Sequence, residues 1–376
     1  MPEKKLTGAE MRRLNRSRVF RLIYEEGRVT KQEIARKLQM SLPTVAQNLR
    51  ELEGMRLIER NGQFESTGGR KPQAIVCVGG AKVALGIFVT KHHLRFVAVG
   101  LYGRVIRQDT VREPYRNDPA YYRRVGELLG IFLDSLRISP RRVLGVGVAM
   151  QGLVSPDGRT MVYGEILGCT GVTSEDFGRW MGFPCRLIHD SEAAASAELW
   201  ADKGITDAFY LALNQNLGGA VIIGGAIHKG QNLRSGMLEH ICLVPGGKPC
   251  YCGRRGCFEA YCSVNSLLEG GPETLEEFFR DLRGGKQAAR DRWEEYLEYL
   301  ASAVNNLRMT VDCEVILGGQ AAAFLEERDL DQLYALLRER ASFPMERPFL
   351  KIGRLKSEAP AVGAALTYIM DFLKNI

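Results

Sequence analysis

The sequence predicts an α/β protein in two parts: a short, basic, helix-rich head over residues 1–80 and a longer body over 81–376. Three observations lead there. Residues 1–80 carry 16 lysines and arginines against 9 acidic residues, while the remainder balances at 35 of each, so one end holds the whole net charge of +7. Apolar residues recur at helical spacing in that end. From Lys82 onward strand-like and helix-like stretches alternate, which is the pattern of α/β folds. A chain of 376 residues also suits two or three units. No apolar run approaches the roughly 18 residues that span a bilayer. The N-terminus, M-P-E-K-K-L-T-G-A-E, has no apolar core of a secretory signal. Nine cysteines, an odd number, point to a reducing cytoplasm rather than a disulfide framework. Charge gathered at one end favours a polyanion partner there.

Within the head, Leu14, Val19, Leu22 and Ile23 mark a first helix ending near Gly27. Thr30 with Glu33 reads as a capping box, opening a helix that places Ile34, Ala35 and Leu38 on one face. After a turn at Gln39-Met40, Ser41 caps a third helix, with Pro43 in its first turn and Val45, Leu49 and Leu52 as its buried stripe. Two short helices joined by a tight turn make a helix-turn-helix. Ser41, Thr44, Gln47, Asn48 and Arg50 are the candidates for contact with double-stranded DNA. Gln and Asn can bond adenine bidentately, Thr can meet a thymine methyl or a phosphate, and Arg can hold a phosphate. The stretch after Gly54 reads as strand, Asn61-Gly62 hairpin turn, strand and a basic glycine-rich tip, completing a winged helix-turn-helix. Arg70 and Lys71 are then candidates for the minor groove or its phosphates.

In the body the expected strands are 83–89, 94–99, 143–149, 186–189, 209–214, 220–223 and 315–317. The expected helices are 119–136, 192–200, 291–308 and 360–373. The most telling stretch is Met237–Glu259. Cys250, Cys252 and Cys257 lie in a loop punctuated by glycines, with His240 ten positions upstream. Three thiolates and an imidazole are the ligand set of a structural, tetrahedral Zn²⁺. Glycines let the backbone fold tightly enough to aim the sulfurs at one point.

This His followed by C-x-C-G-x-x-G-C-x-E resembles the zinc motif of the ROK family, which contains sugar kinases and sugar-responsive repressors. The stretch Ser66–Pro72 is similar to the wing of the family's repressors. The resemblance implies an actin-like (ROK, sugar kinase-like) body of two lobes with a sugar cleft between them. Lobe 1 would comprise about 81–190 plus the C-terminal helix 360–376, and lobe 2 about 191–359 with the zinc loop. It further implies sugar contacts from Gln151, Asp190, His240 and Glu259, with His240 also a zinc ligand.

Two departures from the family pattern bear on activity. The kinases' D-x-G-G-T turn reads here through Phe88, Val89, Thr90 and Lys91, and their second phosphate stretch reads L-N-Q-N-L-G-G-A over Leu213–Ala220. Bulky side chains there obstruct phosphates, and no carboxylate replaces the metal ligand, so ATP chemistry is not expected. In the family's G-E-x-G-H, the glutamate is Met237 and a new carboxylate stands at Glu239. The resulting expectation is a cytoplasmic, homodimeric, sugar-responsive DNA-binding repressor of carbohydrate genes with no catalytic residues. A sugar kinase using Asp190 and a DNA-binding dimer without ligand are the alternatives.

Overall fold

The computed structural model describes residues 7–64, 73–345 and 348–376. The head contains helices α1 (Gly8–Glu26), α2 (Lys31–Leu38) and α3 (Leu42–Gly54), then strands β1 (Ile58–Gln63) and β2 (Gln73–Cys77). The capping signals fold as the sequence suggests. Thr30 and Glu33 form a reciprocal box, with Thr30 N–H donating to Glu33 Oε2 at 2.7 Å and Glu33 N–H to Thr30 Oγ1 at 3.1 Å. Ser41 caps α3 by accepting from Thr44 N–H. Between them Gln39 takes a left-handed conformation, φ 52°, which produces the sharp turn. Val19, Phe20, Ile23, Ile34, Val45, Leu49 and Leu52 are buried where the three helices meet.

Two expectations for the head are corrected. Asn61-Gly62 is not the hairpin turn but lies inside β1, where the register against β2 shifts between Arg60 and Gln63. Gly62 at φ +79° supplies the backbone that such a bulge demands. Asn48 does not project from α3. It is 5% exposed, and its Nδ2 donates to Thr44 O at 2.8 Å. The basic tip, including Ser66–Pro72 with Arg70 and Lys71, lies outside the described residues.

The body begins with β3 (Val83–Val89), β4 (His93–Gly100), β5 (Val105–Arg112), α4 (Pro119–Leu136) and β6 (Val143–Met150). A small hairpin, β7 (Leu153–Val154) and β8 (Met161–Tyr163), precedes α5 (Ser174–Met181), β9 (Cys185–His189) and α6 (Asp190–Ala201). Next come β10 (Ala208–Ala212), β11 (Gly218–Ile223) and β12 (Ala226–Ile227). The helices α7 (Glu259–Cys262), α8 (Val264–Leu268), α9 (Leu275–Arg283) and α10 (Gln287–Thr310) follow. The chain closes with β13 (Glu314–Gly318), α11 (Gly319–Ala322), α12 (Glu327–Arg340), β14 (Leu350–Ile352) and α13 (Ala359–Asn375).

These strands build two five-stranded sheets, ordered β5-β4-β3-β6-β9 and β12-β11-β10-β13-β14. In each, the first three strands pair antiparallel and the last two join in parallel. The same topology thus occurs twice, as a body of two related lobes requires. The expected strands all appear. β5 is missed because all its residues but Val111 are exposed, so it carries no alternation of apolar and polar positions.

Helices α6 and α13 pack against each other, and α13 also lies on β3 and β6. Their contact is backbone-close: a Cβ on Gly363 would meet Ala193 O at 1.7 Å, and one on Gly86 would meet Ala361 O at 1.8 Å. The far end of α13 reaches the head. Arg21 donates to Leu373 O at 3.2 Å and Lys374 O at 2.8 Å, and Arg13 to Asn375 O at 3.0 Å. Those are carbonyls a helix end leaves unpaired, and cations suit the negative pole there. Tyr24 stacks on Tyr102 at 4.6 Å, and its hydroxyl donates to Leu101 O. Phe20 meets Phe372 edge-on, so head and body share one apolar core. Among the described residues no helix is long and apolar enough to cross a membrane.

Candidate functional site

On the head, Ser41, Gln47 and Arg50 are exposed on one side of α3, with Thr44 partly exposed among them. Ser41 and Thr44 hydroxyls lie 2.8 Å apart, and Gln47 Nε2 reaches Glu51 Oε1 at 3.4 Å, a long bond that leaves the amide available. The helix therefore presents three of the four named polar residues after its cap to solvent.

The second site lies between the two sheets. Its floor is the metal-type cluster, where one ligand atom each from His240, Cys250, Cys252 and Cys257 lie within 4.8 Å of one another. Cys252 Sγ and Cys257 Sγ are 3.7 Å apart, and Cys250 Sγ is 3.8 Å from His240 Nδ1. A tetrahedron with Zn–S near 2.3 Å and Zn–N near 2.0 Å has edges of about 3.5–3.8 Å, so the set fits a metal of that kind. Local backbone bonds shape the loop: Cys250 N–H donates to Arg254 O and Gly253 N–H to Cys250 O. His240 turns Nδ1 to the sulfurs and Nε2 to Tyr251 Oη at 3.3 Å.

Above the cluster is a cavity of about 630 Å³ lined in part by Gln151, Asp190, Glu239, His240, Tyr251, Arg234 and Cys252. Three of the four expected sugar residues thus line one cavity. Asp190 begins α6 at the end of β9, and His189 Nε2 stands 3.4 Å from its Oδ1. Burial raises the Asp190 carboxyl above its usual range, opposed by His189 and by the Ser191 N–H it accepts at 2.8 Å.

Glu259, the fourth, is the exception. It is 5% exposed, does not line this cavity, and accepts from Asn216 Nδ2 at 2.9 Å and Leu217 N–H at 2.6 Å. Burial pushes it up to about 7 against those donors. Its place in α7, immediately after the last cysteine, turns it behind the wall that Asn216 and Leu217 form. A glutamate that does line the cavity, beside Asp190, is Glu239, pushed up to about 8 by burial and by the nearby Glu259 and Asp190. Its Oε2 has no hydrogen-bond partner among the described residues.

Asn216, Arg234 and Tyr251 were missed from sequence. Tyr251 had a signal: it stands between two cysteines of the cluster, Cys250 and Cys252, and alternation sends it away from their sulfurs.

The β3–β4 turn borders the outer part of the cleft. Phe88, near the end of β3, lines the cleft, and the hairpin beyond it is closed on itself, with Thr90 N–H donating to His93 O and His93 N–H to Thr90 Oγ1, each at 3.0 Å.

A winged-helix module fused to a body of two repeated sheets, with a cavity above a His–Cys cluster between them, defines the class: a winged-helix head on a sugar-kinase-like scaffold. The chain belongs to the ROK family, which it matches over residues 84–370, and residues 12–59 match the winged helix-turn-helix DNA-binding family. It is 27% identical over 266 residues to the DNA-binding transcriptional dual regulator NagC of Escherichia coli, covering 69% of this chain and 64% of that protein. It is 22% identical to the xylose repressor of Caldicellulosiruptor bescii across 96% of this chain and 97% of the repressor. An N-acetylmannosamine kinase of Salmonella arizonae is 31% identical over 193 residues, 49% of this chain and 65% of the kinase. Among solved structures, a ROK family transcriptional regulator described as a homologue of the E. coli MLC protein superposes with TM-score 0.73 and 20% identity. That match covers 96% of this chain and 98% of the other.

Proposed function

We propose that the protein is a sugar-responsive transcriptional repressor of carbohydrate genes, acting in the cytoplasm as a homodimer on an operator. The head, residues 1–80, would read DNA through Thr44, Gln47 and Arg50, with Ser41 setting the start of α3 and Arg70 and Lys71 on the wing. The body, 81–376, would divide into lobe 1 (81–190 with 360–376) and lobe 2 (191–359), a division supported by the membership of the two sheets. Zn²⁺ would be held by His240, Cys250, Cys252 and Cys257 and would serve as a brace. When bound, it would fix His240 and Cys252 in the cavity wall. Asp190, Glu239, Gln151 and the outer nitrogen of His240 would then meet sugar hydroxyls. Glu259 would act behind them by positioning Asn216.

The observation that carries this reading is the continuous path from cavity to head. Asp190 opens α6, α6 is locked on α13 at Gly363, and the end of α13 is held by Arg13 and Arg21 of α1. A ligand that prefers one arrangement of the lobes would shift α6 and α13 together and so bias the head. The closed β3–β4 hairpin supports a body without phosphoryl transfer. Thermal-shift screening against sugars tests the ligand, because anything binding the native state selectively raises its stability. A coupled assay tests the kinase alternative: sugar-dependent ADP release that disappears with Asp190→Asn would overturn the repressor reading.

A further inference from the structure

The cleft continues past the cavity over the zinc cluster. A second cavity of about 510 Å³ adjoins it and shares Gln151, Glu165, Ile166, Asn216 and Tyr251 with it, so the two form one trough. The outer end lies between Thr90, Lys91 and His92 of the β3–β4 hairpin and Gln320 of α11. Each cavity falls within the roughly 300–1,000 Å³ of small-molecule sites.

The chemistry of this outer half is not that of a phosphate site. The hairpin amides of Thr90 and His93 are spent on each other. Lys91, with His92 beside it, shares the wall with Glu165, so the cation is offset by a carboxylate. What dominates is primary amide: Asn214, Gln215, Asn216, Asn265 and Gln320. Asn214 Oδ1 is committed to Gln320 N–H at 2.9 Å, and Asn216 Nδ2 to Glu259. The side-chain amides of Gln215, Asn265 and Gln320 have no protein hydrogen-bond partner among the described residues, and all three are exposed. A primary amide offers two donors and an acceptor on one flat group. That complements neighbouring hydroxyls, each of which both donates and accepts. At the junction the ring of Tyr251 is 39% exposed and borders both cavities, with its hydroxyl fixed by His240 Nε2. An aromatic face with one polar end suits the C–H face of a pyranose.

We infer that the outer cavity is a second glycosyl subsite, and that the effector is a neutral disaccharide or longer glycan. One ring sits against Asp190, Glu239 and His240, and the next lies past Tyr251 among Gln215, Asn265 and Gln320. The inference rests on the proposed reading of the inner cavity as a sugar site. In place of the glycines and amides that admit ATP, the lost cradle has become a surface for hydroxyls.

Isothermal titration and thermal shift of the full-length, zinc-loaded protein test it. The probes are three pairs, xylose with xylobiose, glucose with cellobiose and N-acetylglucosamine with diacetylchitobiose, and in addition AMPPNP. The expected result is that at least one disaccharide binds ten-fold or more tightly than its monosaccharide. The double variant Asn265→Leu, Gln320→Leu, altered only at exposed side chains, then lowers that advantage to less than three-fold while its unliganded Tm stays within about 2 °C of the parent. A monosaccharide binding as well as its disaccharide, or an unaltered advantage in the double variant, overturns the second subsite and leaves the sugar-responsive reading standing. AMPPNP competing with the disaccharide overturns it in favour of a nucleotide site. If no sugar of the panel binds, both readings fall together.

Discussion

The two ends of the cleft both follow strands of one five-stranded sheet, β9 at its edge running into α6 and β3 at its centre running into a hairpin, yet their chemistry differs. At the end of β9, His189 and Asp190 remain as a buried polar pair at the mouth of a cavity. At the end of β3, Phe88 and the Thr90–His93 turn present no free glycine backbone. The difference shows what each chemistry demands. Hydroxyl recognition needs a few fixed side chains, so it would tolerate the exchange of a glutamate from position 237 to 239. Phosphate recognition depends on bare backbone, and one bulky residue or a self-satisfied turn ends it.

The comparison can be broken most forcefully through the metal. Chelation, or Cys252→Ser, removes a ligand that is also cavity wall. We expect loss of one bound Zn²⁺ per chain by elemental analysis and a fall in Tm of roughly 10 °C, at about 2–4 °C per kcal/mol for a body of this size. Unchanged stability in the stripped protein would remove the brace from the account.

Next is the link between the cleft and the head. Gly363→Ala puts a methyl where Ala193 O already lies, 1.7 Å from the ideal Cβ. Forcing α6 from α13 should cost about 1–3 kcal/mol by denaturant unfolding. It should also weaken the effect of sugar on DNA affinity. A variant as stable and as responsive as the parent would mean the crossing is not the route.

Asp190→Asn probes the retained end directly. Loss of a charged acceptor should weaken sugar binding by about 10- to 150-fold, equivalent to about 1.5–3 kcal/mol, in isothermal titration. Glu198→Gln is a control far from ligand. Its two oxygens accept from Arg354 and Leu355 N–H, each at 2.9 Å. An amide can replace only one acceptor, so stability should fall by about 1–3 kcal/mol with sugar affinity intact. The smallest effect belongs to the lost end: ATP with Mg²⁺ should shift Tm by less than about 1 °C, where true binding at 100 times Kd would stabilise by about 2.7 kcal/mol.

How far the sequence could be read followed the range of the interactions. Thr30 with Glu33 and Ser41 with Pro43 are local signals, and each folded as expected. The clustering of His240, Cys250, Cys252 and Cys257 was equally legible, since four donors close in sequence need little help from the rest of the chain. Asn48 was misjudged although its spacing held the answer: with Val45, Leu49 and Leu52 it falls on the inward stripe of α3. Asn61-Gly62 can serve a turn or a bulge, and the partner register decides which. Strand β5 has no alternating pattern because both its faces meet solvent. Glu259 and Glu239 exchanged places because cavity lining depends on side-chain direction, which motif alignment does not carry. The seam between α1 and α13 joins residues more than 350 positions apart, and nothing local announces it.

The proposed head would grip DNA under the control of the cleft. Fluorescence anisotropy with a labelled duplex selected from random sequence, titrated across salt with and without the sugar that most raises Tm, measures both at once. Affinity should fall linearly on a log–log salt plot, as counterion release requires, and saturating sugar should lower it at least five-fold at fixed salt. No binding to duplex at low ionic strength, or an affinity indifferent to a sugar that demonstrably stabilises the protein, would contradict it.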